Sequence, residues 1–147
     1  MKTVIQRVKQ AKVTVDQEVT GAISQGLLVF LGVHIDDRLE DTTWLVNKIL
    51  DFRIFQDEQG KMNKSLRDIN GEILVVSQFT LYGNCMNGRR PDFIQSAPPE
   101  IAIPIYEKFV GEVRDEIGDV QTGKFGANMD VSLINDGPVT FILESKK

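Results

Sequence analysis

Apolar positions recur with a period of two through most of this chain and with a period near 3.6 in two stretches, which predicts a mainly β chain carrying two helices. Lys2 to Val15 alternates as a strand does, and Val15-Asp16-Gln17-Glu18-Val19 turns it into a second. Gly21 and Gly26 punctuate the next strands, and Gly26-Leu27-Leu28-Val29-Phe30-Leu31-Gly32-Val33 is an apolar run of strand length. Asp36-Asp37 stand where a helix cap belongs. From Leu39 to Arg53, Leu45, Ile49 and Phe52 share one helical stripe, with Val46 and Leu50 beside it. Ile54-Phe55 returns to extended chain, Asp57-Glu58-Gln59-Gly60 turns it, and Asn70-Gly71 turns it again.

Ile73-Leu74-Val75-Val76 is apolar at every position, the pattern of a strand covered on both faces, and it ends abruptly in Ser77-Gln78-Phe79-Thr80-Leu81. If alternation continues, Gln78 and Thr80 share one face where the core meets a cleft, with Ser77, Phe79 and Leu81 on the other. Ser and Thr are also ordinary strand-end residues, and the pattern alone leaves both readings open. Pro98-Pro99-Glu100 opens the second helix. Its buried side would be Ala102, Ile105, Tyr106, Phe109, Val110, Val113 and Ile117, and Pro104 either kinks it or marks its true start. Val120 to Phe125, Met129 to Leu133 and Val139 to Leu143 read as further strands. Asn135-Asp136-Gly137-Pro138 joins the last two; Asp-Gly signals a hairpin, whereas the following Pro removes a donor and admits a cis peptide. The expected class is α+β: a mostly antiparallel curled sheet or β-barrel with two helices packed outside it.

A length of 147 residues fits a single domain spanning 1–147. Such a domain buries roughly 70% of its unfolded surface and needs no metal or disulfide to hold a core. No apolar run approaches the roughly 20 residues of a spanning helix, and the N-terminal stretch enters strand pattern without a signal-peptide character, so a cytoplasmic protein with no membrane contact is expected. One cysteine, Cys85, allows no internal disulfide and no cysteine-cluster metal site, and it sits in a polar loop as a bystander thiol. The one histidine, His34, follows a strand and suits a strand-end role; neither a zinc site nor an imidazole-driven nucleophile is supported. No metal and no cofactor are expected.

A net charge of −4 argues against coating long nucleic acid, because that affinity comes from neutralising phosphates. Gripping a short RNA end through a local basic patch stays open. Adjacent Arg89 and Arg90, between Gly88 and Pro91, are the best anion-contact candidates, with an exposed basic turn as the equal alternative. Arg7, Lys9 and Lys12 give the first hairpin a basic face, usually no more than a solvated one.

With Ser77-Gln78-Phe79-Thr80-Leu81 and Asn135-Asp136-Gly137-Pro138-Val139-Thr140 both in view, the chain resembles the D-aminoacyl-tRNA deacylases over its whole length. Ile5-Gln6-Arg7-Val8 and Gly123-Lys124-Phe125-Gly126-Ala127-Asn128-Met129 strengthen the match. The resemblance implies a homodimer whose active sites lie at the interface and receive the aminoacyl-tRNA 3′ end. Ser77, Gln78, Phe79 and Thr80 would form the catalytic floor. Gly137 and Pro138, in cis, would enter from the other subunit as a chirality gate that has room for a D-aminoacyl ester and none for an L side chain. Glycine, lacking a side chain, would pass. Phe125 and Met129 would hold the terminal adenine, their alternative being core residues of two strands. Arg7 would brace the Gly-Pro loop; without the resemblance it reads as a surface strand residue. Asp92 departs from the family, which commonly has Ser there, and an added carboxylate weakens the case for a phosphate contact by Arg89 and Arg90.

Thr80 has no base near it in sequence. The implied mechanism therefore has Gln78, Thr80 and the amides of Phe79 and Thr80 orient the ester and stabilise its oxyanion, with the substrate's neighbouring ribose hydroxyl helping to activate water. Two other classes compete: a non-catalytic dimeric RNA-end binding module using Arg89, Arg90 and Phe125, and a dimeric scaffold locked by the Gly-Pro loop. A polar strand-end floor favours catalysis over both.

Overall fold

Strand β1 (Lys2–Val15) is long enough to take three neighbours. The computed structural model describes residues 1–145, so the last two positions of the domain expected over 1–147 lie outside the described residues. The first half of β1 pairs antiparallel with β3 (Gly26–Gly32), and its second half pairs with β2 (Glu18–Ile23). Asp16 and Gln17, at φ 49° and 67°, supply the two left-handed residues that a tight β1–β2 hairpin needs. Along its other edge β1 pairs antiparallel with β8 (Asp130–Glu144).

From β3 the chain crosses over through α1 (Asp41–Leu50) and a small hairpin, β4 (Phe55–Gln56) with β5 (Met62–Lys64), to reach β6 (Glu72–Ser77). A crossover returns the next strand in the same direction, so β6 lies parallel to β3. After α2 (Pro99–Ile117), the short β7 (Gln121–Thr122) lies parallel to β6. The sheet is therefore mixed, in the order β2-β1-β3-β6-β7 with β8 on β1. It curls until β7 meets β2: the Ala22 amide donates to Gln121 Oε1 at 3.4 Å, and a Cβ on Gly21 would lie 3.0 Å from the Thr122 nitrogen. The result is the expected α+β class, a nearly closed barrel-like sheet with two helices outside.

The unbroken apolar strands divide their side chains between two cores. Leu27, Val29, Leu31, Ile73 and Val75 face the helices, meeting Leu45, Ile49, Tyr106 and Phe109. Leu28, Leu74 and Val76 face the barrel interior with Val8, Ala11, Val13 and Ile23. Burial on both faces is why these strands carry no polar interruption.

Four expectations need correction. Asp36-Asp37 do not cap α1, which begins after Glu40 without a side-chain cap; Asp37 instead accepts the His34 amide at 2.7 Å and pairs with the Met1 amino group at 2.6 Å. Phe52 lies beyond the helix, edge-on to Phe141 at 5.0 Å. Only Gln121–Thr122 of the Val120–Phe125 stretch is strand. The two last strands are one, because both halves follow the same edge of β1; Gln6 pairs with Thr140 and Val8 with Asn135, so residues 136–139 bulge out opposite Arg7 alone.

Gly26 is a close-approach glycine, not mere punctuation. A Cβ there would overlap the Glu72 backbone, with Glu72 N 2.8 Å away, at the first rung of the β3–β6 ladder. Gly26→Ala should destabilise the fold by about 1–3 kcal/mol, as overpacking does, read as a lower urea midpoint at unchanged m.

Candidate active site

β6 ends at Ser77 because Gln78 leaves extended geometry (φ −147°, ψ 81°) and Phe79–Tyr82 wind into a short 3₁₀ turn. Gly32 makes room for this: a Cβ there would crowd the Gln78 carbonyl at 3.0 Å. The alternation expected through Leu81 therefore stops at the strand end. Gln78 and Thr80 still come together, but through the turn, where Gln78 Nε2 donates to Thr80 Oγ1. The Gln78 amide is spent on the Leu31 carbonyl at 2.8 Å, while the amides of Phe79 and Thr80 open the turn and have no partner within it.

Ser77, Gln78 and Phe79 form one wall of a cavity of about 500 Å³. Leu31 and Val33 continue that wall, Pro99, Ala102 and Tyr106 of α2 face it, and the segment Phe125–Met129 closes the far end. Phe125 and Met129 both lie outside regular strands. Phe125 packs against the Tyr106 ring at 5.6 Å, and the Met129 sulfur lies against Gly123, 2.5 Å from where a Cβ would stand. Tyr106 Oη donates to the Val75 carbonyl at 3.2 Å, and burial pushes its pKa up to about 12. It stays neutral at neutral pH and acts as a fixed strut between α2 and β6.

The remaining predicted residues lie elsewhere. Thr80 is exposed just past the cavity wall. Gly137 and Pro138, joined by a cis peptide, are exposed on the bulge of β8 and do not line this cavity. Arg7 is not the surface residue that strand pattern suggests, nor part of a basic face with Lys9 and Lys12: it is 4% exposed. Its Nη1 donates to the Ile54 carbonyl at 2.7 Å, and its Nε donates to the Asp136 carbonyl at 3.2 Å with the Asp136 carboxylate at 3.4 Å. A Cβ on Gly137 would stand 2.9 Å from Arg7 Nη2, so the guanidinium backs the bulge directly.

Sequence reasoning missed two supports of the turn. Ser96 Oγ donates to the Phe79 carbonyl at 2.9 Å, and Phe93 packs edge-on to Phe79 at 5.1 Å. Neither had a signal beyond lying just before Pro98-Pro99. His34 takes a strand-end role, its Nδ1 accepting the Asp36 amide at 3.1 Å and its ring edge-on to Tyr82. Cys85 is exposed. Among the described residues no group of three His, Cys, Asp or Glu side chains could hold a metal, and no helix is long and apolar enough to cross a membrane.

A mostly apolar cavity rimmed by a few polar groups at a strand end is the form of a small-molecule or substrate-end binding site. The profile of the D-Tyr-tRNA(Tyr) deacylase family matches residues 4–144. A D-aminoacyl-tRNA deacylase of Protochlamydia amoebophila is 59% identical over 99% of this chain and 96% of its own length. One of Thermosipho africanus is 59% identical over 100% of this chain and 99% of its own. Among solved structures, a c-Myc DNA unwinding element binding protein superposes with a TM-score of 0.94 at 44% identity, covering 100% of both chains. A probable eukaryotic D-amino acid tRNA deacylase superposes at 0.87 with 18% identity over 97% of each chain, a likeness of fold. The chain belongs to the D-Tyr-tRNA(Tyr) deacylase family, enzymes that hydrolyse the ester of D-aminoacyl-tRNA.

Arg7→Met leaves the buried Ile54 carbonyl without its donor and the bulge without its brace. It should cost about 1–3 kcal/mol in urea unfolding, with hydrogen exchange accelerated most at residues 136–139.

Proposed function

We propose that this chain removes D-amino acids from tRNA in the cytoplasm, working as a homodimer whose two active sites are each shared between subunits. Water attacks the ester carbonyl, the bond from the acyl carbon to the ribose oxygen breaks, and that oxygen leaves with a proton. The amides of Phe79 and Thr80, free of partners within their turn, stabilise the oxyanion, and Gln78 with Thr80 orients the ester. One such donor is worth about 2.7–4 kcal/mol of barrier. The neighbouring ribose hydroxyl helps activate the water. Phe125 and Met129 hold the terminal adenine, using an aromatic face and a pliable thioether.

The observation that carries the shared site is the separation of its parts. Ser77, Gln78 and Phe79 line a cavity that Gly137 and Pro138 of the same chain do not line. The Gly-Pro bulge instead projects into solvent, backed by Arg7, in the form of an insert for a second copy. Its backbone rejects an L side chain sterically and admits D-aminoacyl and glycyl esters, including glycyl esters mischarged on other tRNAs.

Incubation with D-tyrosyl-tRNA and L-tyrosyl-tRNA tests the reading: free amino acid should appear from the D-ester only. Release from both esters would contradict the gate. No release from the D-ester, with tRNA still bound, would favour an RNA-end binding module.

Thr80→Ala decides the chemistry of the floor. Orientation of the ester without nucleophilic attack predicts that most deacylation survives, within about tenfold in kcat. Abolition would make the hydroxyl itself a reactant.

A further inference from the structure

Some of this chain's cationic side chains are paired within the fold: Lys2 with Glu144, Arg7 with Asp136, Lys64 with Glu58, Arg67 with Asp51 and Glu116, Lys108 with Glu112. Arg89 and Arg90 are not. Both are exposed, and neither makes an ion pair or hydrogen bond among the described residues. Adjacent guanidinium groups repel one another, so a loop that displays them needs its shape held by something else.

That support is built into the loop. Asn84 and Asp92 exchange backbone hydrogen bonds at 2.8 and 3.1 Å, and Asn84 Nδ2 donates to Asp92 Oδ2 at 3.1 Å. The Met86 amide donates to Asn84 Oδ1 at 3.1 Å and the Ile94 amide to Asp92 Oδ1 at 3.4 Å. Asp92 therefore spends both oxygens on the loop's own frame and neutralises neither arginine. Its negative charge stays beside them, a cost that any anion contact by the two arginines must overcome. Gly88, at φ 72°, turns the tip.

One foot of the loop packs on the wall of the cavity and the other on the turn just past it. The Gly83 amide donates to the Thr80 carbonyl at 2.9 Å, and Phe93 packs on Phe79, which lines the cavity. Arg90 and Arg89 lie two and three residues from Asp92. At roughly 3.3–3.6 Å per residue fully extended, that is a backbone reach of at most about 7–11 Å from the fixed base. Stacked nucleotides advance about 3.4 Å each along one strand, so that reach covers at most about two to three of them.

We propose that the stapled loop Asn84–Asp92 is a phosphate clamp for the single-stranded RNA just 5′ of the terminal adenosine, with Arg89 and Arg90 gripping its phosphodiester oxygens. The clamp rests on the deacylase reading for the identity of the strand. Its ligand chemistry is the sugar-phosphate backbone, so it adds affinity without reading sequence.

The test compares wild type with the double variant R89A/R90A by two measurements. In the first, binding of uncharged tRNA is followed against salt concentration. Loss of two single-strand phosphate contacts should make the log–log slope shallower by about 1.4 and weaken binding roughly tenfold near physiological salt. In the second, KM for D-tyrosyl-tRNA should rise about tenfold at unchanged kcat, while hydrolysis of D-tyrosyl-adenosine, which has no phosphate, should match wild type. R89K/R90K should keep the salt slope while binding more weakly, because lysine keeps the charge and loses the fork. An unchanged salt slope overturns the clamp whether or not the protein hydrolyses anything. Equal damage to both esters also overturns it, showing that the loop serves only the cavity wall. Wild type that binds tRNA with the predicted slope difference yet cleaves neither ester supports the clamp and refutes the deacylase reading instead.

Discussion

The parallel pairing of β3 with β6 is the constraint on which the rest of the molecule depends. Both strands are covered on two faces, so neither can offer a polar side chain until it emerges from the core. β6 emerges at Ser77, and within two residues the chain has turned into a 3₁₀ coil that exposes amides and carries Gln78 and Thr80. The proposed chemistry sits where the double layer of apolar contacts ends. The Tyr106 strut from α2 to the Val75 carbonyl then fixes the distance between the helix layer and that strand end.

A second consequence runs through β1. Because this strand is paired on both edges, extra residues of β8 have nowhere to go within the ladder, and residues 136–139 are expelled opposite Arg7. Arg7 sits on the helix-facing side, where a charge is costly unless it is partnered. The Ile54 carbonyl and the two oxygens of Asp136 provide that partnership, and the bulge is held in place as a result. A buried cation thus converts a slack insertion into a projecting, well-defined feature.

Much of this was legible in the residues themselves. The apolar run at Ile73–Val76, the Asp16-Gln17 turn, both helices and the α+β class follow from periodicity and turn chemistry, which are local. What failed was non-local. Asn135-Asp136-Gly137 reads as a hairpin because nothing in it reveals that β1 will hold both flanks on one edge. Arg7 reads as a surface cation because its burial is created by Ile54, 47 positions away. Phe125 and Met129 read equally as strand or cavity residues, since only the curl of the sheet brings their segment to face Ser77–Phe79. Asp92 reads only as a charge beside the arginines, and the fold adds that Asn84 and the Ile94 amide use its oxygens to frame the loop.

Whether the floor and the gate of one site come from two chains is tested most directly by subunit complementation. One variant carries Ala127→Trp, which plugs its own cavity; the other carries Pro138→Trp, whose bulk on the inserted bulge would block the partner's cavity. Each alone should be inactive on D-tyrosyl-tRNA. After mixing under conditions that exchange subunits, half of the dimers pair an intact cavity with an intact bulge, and activity should return to about one quarter of wild type, one good site in four. If each site were built within a single chain, no mixture could restore it, and a preparation that stays inactive after verified exchange would contradict the shared site.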